Sequence, residues 1–327
     1  MGGNIWKDQS IRLNKNEYFE CCYQVQEFLT SVLGVDQQDI FVIQAVKDKE
    51  SFGDMDIVIR KNNYNILDIQ TKIQEQNLNT FKNCDILSFL NTNNFQIDLI
   101  FVDRSVFNYA CNYFSWNDLG NLLGKLIKQY GFKHGWNGLY YVQRNGDHVV
   151  QEHLLSTRYL DIINILGLDR YKFLCGFNSY EDMFDWLVKS PLFISSIFKY
   201  ENLNHANRVR DRKRKVYNLF LDYIDKLDDS IKNKEAIKLS EEEKRSFVFS
   251  KFSKLALEVE RLDKEIEIQN IIKLKFNGEL VKSLTGLYGV SLGDFIKLFK
   301  SNYNDNWIFN TPQYEINLLI KKIYQNL

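Results

Sequence analysis

Residues 51–59, Ser51-Phe52-Gly53-Asp54-Met55-Asp56-Ile57-Val58-Ile59, limit what this chain can fold into more than any other stretch. A glycine turn feeds directly into an apolar run that reads as a strand. Side chains alternate along a strand, so Asp54 and Asp56 share one face while Met55 and Ile57 take the other. Two carboxylates one pleat apart at the mouth of a strand repel each other and lose hydration, and a divalent cation is the usual remedy. A third acid lies in Phe95-Gln96-Ile97-Asp98-Leu99-Ile100-Phe101-Val102, which reads as a second buried strand. If the two strands are neighbours, three carboxylates converge on a metal site suited to phosphoryl or nucleotidyl transfer. The plainer alternative is a turn followed by an exposed strand start, since aspartate is common at turns.

The 327 residues suffice for one large domain or two ordinary ones, and 45% hydrophobic with 14% aromatic residues argues against disorder. The 42 basic and 42 acidic residues leave a net charge of +0, so only local clusters can speak for a polyanionic partner. Cys21, Cys22, Cys84, Cys111 and Cys175 show no paired metal spacing and read as buried free thiols in a reducing compartment. The first residues have no basic region followed by an apolar core, and no apolar run reaches membrane-spanning length. A cytoplasmic protein without signal peptide or membrane contact is expected.

Apolar spacing predicts a helix over 17–33 ended by Gly34, a strand at 40–46, the strand at 54–59, a turn at Asn62-Asn63 and a third strand at 65–73. A helix is expected over 117–130, stopped by Gly131, and a hairpin at 139–153 around Arg144-Asn145-Gly146-Asp147. Beyond about residue 157 the strand signals fade, and helices are expected at 158–166, 179–188 and 204–227. The stretch 225–245 reads as an exposed connection. Ser240-Glu241-Glu242-Glu243 forms a capping box opening a helix through Phe252, Leu255 and Val259. The fold class is therefore α+β, with a mixed sheet and flanking helices over 1–157 and an all-helical domain over 158–327.

With its order of helix, strand, glycine turn, Asp-x-Asp and further Asp-bearing strand, the chain resembles the nucleotidyltransferase superfamily that includes DNA polymerase beta, poly(A) polymerases and CCA-adding enzymes. The matching residues are Gly53-Asp54-Met55-Asp56 and Ile97-Asp98-Leu99-Ile100. The resemblance implies that 1–157 is a palm-like catalytic domain in which Asp54, Asp56 and Asp98 hold two Mg²⁺ ions (or Mn²⁺). It implies an NTP substrate and an acceptor hydroxyl, with Asp98 as proton acceptor. The sequence departs from the family where a Gly-Ser pair should cradle the triphosphate: Gln44-Ala45 or Val46-Lys47 stands there. Lys47, Lys49, Ser51 and Gly53 are the candidates to bind phosphate instead.

Asn204 to Lys215 opens a helix with six basic residues crowded into eight positions, which favours an anionic partner over a merely solvated face. Arg208 and Arg212 are the candidates for triphosphate, and Arg210, Lys213, Arg214 and Lys215 for a nucleic-acid backbone. Phe276–Val281 and Gly286–Ile296 are similar to a segment in the helical body of CCA-adding enzymes and bacterial poly(A) polymerases, although a ligand-free helical hairpin explains them equally well. Gly131 to Tyr140 could wall a nucleotide cleft with Trp136 or Tyr140 stacking on a base, or simply enter a core. The histidines lack metal-ligand spacing. RNA, such as a tRNA 3′ end, is the first acceptor to consider, and a protein or small molecule the second. A catalytically silent nucleic-acid-binding or assembly protein with this fold is the rival from another class.

Overall fold

The computed structural model describes residues 5–6, 9–61, 64–146, 148–232 and 239–327. The turn at Asn62-Asn63 and residue Asp147 lie outside them. β1 (Leu13–Asn14) leads into α1 (Lys15–Glu27), closed by a reciprocal cap in which Asn14 and Glu17 side chains each accept from the other's amide. α1 runs on through a wider π turn at Phe28–Val32, and Gly34 ends it with a φ of +73°. There follow β2 (Ile40–Val42), β3 (Ser51–Phe52), β4 (Asp54–Lys61), α2 (Ile66–Glu75), β5 (Thr80–Asn83), β6 (Ile86–Leu90) and β7 (Gln96–Asp103). The strand expected through residue 46 stops at Val42 because the chain turns off to meet another corner: Gln44 N–H donates to Ser115 Oγ, and Trp116 N–H to the Gln44 carbonyl.

The strand expected at 65–73 is corrected to a helix, α2. Asn65 caps it by accepting from Leu67 N–H, and Ile66, Ile69 and Ile73 recur at helical spacing and are buried.

Five strands form one sheet in the order β2-β4-β7-β6-β5, in which β4 and β7 pair parallel and the other neighbours antiparallel. One face carries Met55, Ile57, Ile59, Ile97 and Leu99 into a core with Val25 and Leu29 and with Ile69 and Ile73 of α2. On the other face Val58, Ile100 and Val102 pack on Phe107, Ala110 and Cys111 of α3 (Phe107–Phe114). Each such aliphatic side chain contributes roughly 1.5–3 kcal/mol by leaving water. Alternation puts Asp54, Asp56 and Asp98 on the α3 face, at the end of the strands where they enter the sheet.

α4 (Leu119–Lys128) buries Leu119, Leu122, Leu123, Leu126 and Ile127, as its spacing predicts. Gly131, at φ +90°, turns the chain into the antiparallel sheet of β8 (Phe132–Gly135), β9 (Gly138–Asn145) and β10 (His148–Ser156). Helices α5 (Tyr159–Ile165), α6 (Arg170–Cys175), α7 (Tyr180–Val188), α8 (His205–Arg212), α9 (Lys215–Ile224), α10 (Asp229–Lys232) and α11 (Glu241–Lys251) follow. The single helix expected over 204–227 is broken, because Arg214 adopts extended backbone (φ −94°, ψ 111°) between α8 and α9. The capping box at Ser240 is present, with Ser240 and Glu243 exchanging hydrogen bonds. Its helix ends at Lys251, and a new one begins at Ser253.

The chain divides into compact units at Met1–Lys251 and Phe252–Leu327, later than the boundary expected at 157. The reason is packing of helices and loops between 158 and 251 onto the sheet domain. Trp116 meets Phe177 at 5.2 Å between ring centroids, Tyr109 meets Tyr159 at 5.1 Å, and Tyr130 meets Phe247 at 5.2 Å. The second unit is entirely helical: α12 (Ser253–Lys275), α13 (Gly278–Thr285), α14 (Gly289–Asn302), α15 (Asp305–Asn310) and α16 (Gln313–Gln325) around Phe276, Phe295, Phe299, Ile316 and Ile320. Cys21, Cys22 and Cys111 are buried free thiols as expected, whereas Cys84 and Cys175 are exposed. Among the described residues no helix is long and apolar enough to cross a membrane.

Candidate metal centre

The parallel register of β4 and β7 sets Asp54 opposite Gln96 and Asp56 opposite Asp98. Each of Asp54, Asp56 and Asp98 offers a carboxylate oxygen within 4.8 Å of the other two. Asp54 Oδ2 is sealed from solvent and has no hydrogen-bond donor among the described residues. An unpaired buried carboxylate oxygen is costly, and a hard cation with oxygen ligands would satisfy it. The three acids could therefore hold a metal ion, and their oxygens suit Mg²⁺ or Mn²⁺.

Electrostatics point the same way. Burial, reinforced by Asp54 and Asp98, pushes the Asp56 carboxyl up to about 7. Asp98 is also raised, again chiefly by burial, with Ser88 and Gln96 acting in the opposite direction. These are the shifts of buried carboxylates packed together, which the charge of nearby Lys49 offsets only in part. The Gln96 amide donates to both Asp98 oxygens, at 2.9 and 3.0 Å, and so fixes that carboxylate's orientation. Gln96 is legible in retrospect: it lies two residues before Asp98 and therefore on the same face.

Of the proposed phosphate ligands, Lys49 stands beside the acids. Burial lowers its ammonium pKa, and the charges of Asp54 and Asp56 oppose that. Its Nζ lies 4.5 Å from the centroid of the Phe52 ring, which stacks on Tyr18. Tyr18 is raised by burial first and then in part by Asp56 and Asp54, so its hydroxyl belongs to this neighbourhood. Ser51 and Gly53 lie under Arg12, a cation that sequence reasoning missed. Arg12 Nε donates to Ser51 Oγ at 3.0 Å, and a Cβ on Gly53 would sit 2.6 Å from Arg12 Nη1. Lys47 is exposed, and its charge acts on Asp182 instead.

The stretch in place of the Gly-Ser cradle is occupied by the protein itself. The amides of Gln44, Lys47, Asp48 and Lys49 donate to Ser115 Oγ and to the carbonyls of Phe177, Asn178 and Val46. Those four amides are taken and cannot cradle a triphosphate as they stand.

The basic segment around α8 has acidic partners of its own. Asp211, fully buried, takes Lys125 of α4 at 2.8 Å and Arg210 at 2.8 Å, with Arg214 at 3.9 Å. Arg214 also pairs with Asp118, and Arg210 donates to Asn121 at 2.8 Å. Arg208 donates to the Leu203 carbonyl, and Arg212 lies over the Tyr200 ring at 5.5 Å. Lys213 and Lys215 are exposed, without an ion pair among the described residues. Because α8 ends at Arg212, Lys215 does not continue the face of Arg208 and Arg212. No ion pair joins this segment to Asp54, Asp56 or Asp98 among the described residues.

Trp136 is 37% exposed in the turn between β8 and β9, and the Tyr140 hydroxyl donates to the Asn137 carbonyl. His134 is structural: its Nδ1 meets the Tyr109 hydroxyl at 2.8 Å, and burial pushes its pKa down to about 3. In the second unit, Gly286 ends α13 in the left-handed conformation (φ +74°), as the glycine signal there requires. No protein-family model matches this chain, and no curated protein matches it.

Proposed function

We propose that this protein is a Mg²⁺-dependent, template-independent nucleotidyltransferase that moves NMP from an NTP to an acceptor hydroxyl, with RNA as the acceptor. The observation that carries this reading is the convergence of Asp54, Asp56 and Asp98 across two parallel strands, with the Asp54 oxygen left unpaired. Two bound divalent ions would supply charge stabilisation at the α-phosphate and ease deprotonation of the attacking hydroxyl. Asp54 and Asp56 would ligate both ions. Asp98, held by Gln96, would ligate one and receive the hydroxyl proton. Lys49 would meet polyphosphate charge from the side of Phe52. The acceptor oxygen bonds to the α-phosphorus as the bond to the bridging oxygen breaks, and pyrophosphate leaves with that electron pair.

A second reading has its own support. The occupied amides at 44–49 and the Arg12 contact to Ser51 favour a protein that keeps the acidic centre without turnover. Incubation with each labelled NTP, Mg²⁺ and total RNA separates the two. Wild type should transfer label and Asp56→Ala should not. Equal transfer by both proteins, or by neither, would sink the enzyme reading.

A further inference from the structure

A cavity of about 690 Å³ opens in the first unit between the end of α4, the segment before α8 and α10. Four lysines line it, Lys125, Lys128, Lys199 and Lys232, with Glu201 the one acid among its described lining residues. Two of the lysines are already engaged. Lys125 pairs with Asp211, and Lys232 donates to the Asp225 carbonyl at 2.9 Å. Lys128 and Lys199 have no ion pair and no hydrogen-bond acceptor among the described residues. The charge of Lys128 acts on Lys125, so these two cations repel each other. The volume is that of a small-ligand site. No aromatic side chain is among the described lining residues, so the wall offers nothing for a base to stack on and much for a phosphate to pair with.

We propose that this cavity binds a phosphate-bearing polyanion through Lys128 and Lys199. The site is separate from the carboxylate centre and does not depend on catalysis there. Two sources share the chemistry: a free polyphosphorylated small molecule, and the backbone of single-stranded RNA.

The test uses the full chain in EDTA, so that no divalent ion bridges phosphate to the acids. Tripolyphosphate binding is read by calorimetry, and binding of a fluorescein-labelled oligoadenylate by anisotropy across a salt series. Wild type is compared with Lys128→Ala/Lys199→Ala, with Lys128→Gln/Lys199→Gln as a second pair that keeps the side chains' bulk, and with Asp56→Asn. Thermal melting confirms that each variant is folded. Both double variants should weaken binding roughly tenfold or more, about the effect of one charge-assisted hydrogen bond. Asp56→Asn should bind as wild type does. If RNA is the source, the salt slope should also fall by about 1.4, the loss of two backbone contacts on a single strand. Loss for tripolyphosphate alone would assign the cavity to a free small molecule, and loss for the oligonucleotide alone to an RNA backbone. Wild type that binds neither probe, or double variants that bind both as wild type does, would overturn the proposal.

Discussion

Lys125 on α4 and Asp211 on α8 meet at 2.8 Å, and the aspartate is entirely withdrawn from solvent. Arg210 and Arg214 lean on the same carboxylate. Removing the acid would leave Lys125 and Arg210 without an ion-pair partner among the described residues, and Arg214 with Asp118 alone. Asp211→Ala should therefore lower the unfolding free energy by roughly 3–5 kcal/mol, the cost of stripping one partner from a buried pair. Urea titration of the first unit's tertiary signal measures it. A loss below about 1 kcal/mol, the level of an exposed pair, would contradict a buried network.

Divalent binding should appear as stability. At a Mg²⁺ or Mn²⁺ concentration about a hundredfold above its dissociation constant, the folded wild type should gain about 2.7 kcal/mol. Asp54→Asn and Asp98→Asn should lose that gain while remaining folded, as melting curves with and without the cation would reveal. A shift of equal size in wild type and both variants would place the cation elsewhere.

The acids also predict a pH dependence with a definite sign. Asp56 titrates near 3.8 in the unfolded chain and at about 7 when folded. Between those values the folded protein keeps a proton that the unfolded chain has released. Without metal, this contribution to stability is complete below about pH 4 and is lost as the pH rises through 7. Asp56→Asn should flatten that decline. Parallel stability curves for the two proteins over this range would count against the raised carboxyl.

Gln96 holds Asp98 by donating from its side-chain amide to both carboxylate oxygens. Gln96→Leu should weaken divalent binding about 10–100-fold, the usual range for a residue that orients a metal-binding group. Calorimetric titration with Mn²⁺ tests this, and Gln96→Glu, which cannot donate from an ionised side chain, should not restore affinity. Unchanged affinity in the leucine variant would show that Asp98 needs no such support.

The acidic centre was legible because it is written in local alternation. Asp54, Asp56 and Asp98 announce their faces through apolar neighbours, and only the adjacency of β4 and β7 needed the fold. The segment at 65–73 misled because Ile66, Ile69 and Ile73 sit among residues that tolerate either period, while the Asn65 cap that decides for helix is a single side chain. β5 escaped notice because Thr80–Asn83 is mostly exposed and shows no apolar alternation. The basic run at 208–215 read as a surface awaiting an anion. Part of its charge is answered by Asp211, which stands within the run and is visible there, and part by Asp118, far away in sequence, which no local pattern reveals. The occupied amides at 44–49 were hidden for the same reason, since their acceptors at Phe177 and Asn178 lie on a distant loop.

Parallel pairing of β4 with β7 also gives the centre a history. During synthesis Asp54 and Asp56 emerge first, and all of α2, β5 and β6 must follow before Asp98 exists to face them. Parallel strands cannot pair through a tight turn and must wait for that crossover to close. A nascent chain thus carries two carboxylates and no third, and the third acid arrives only when the middle of the sheet closes. A divalent ion that needed all three acids would be held only once translation had delivered a finished sheet.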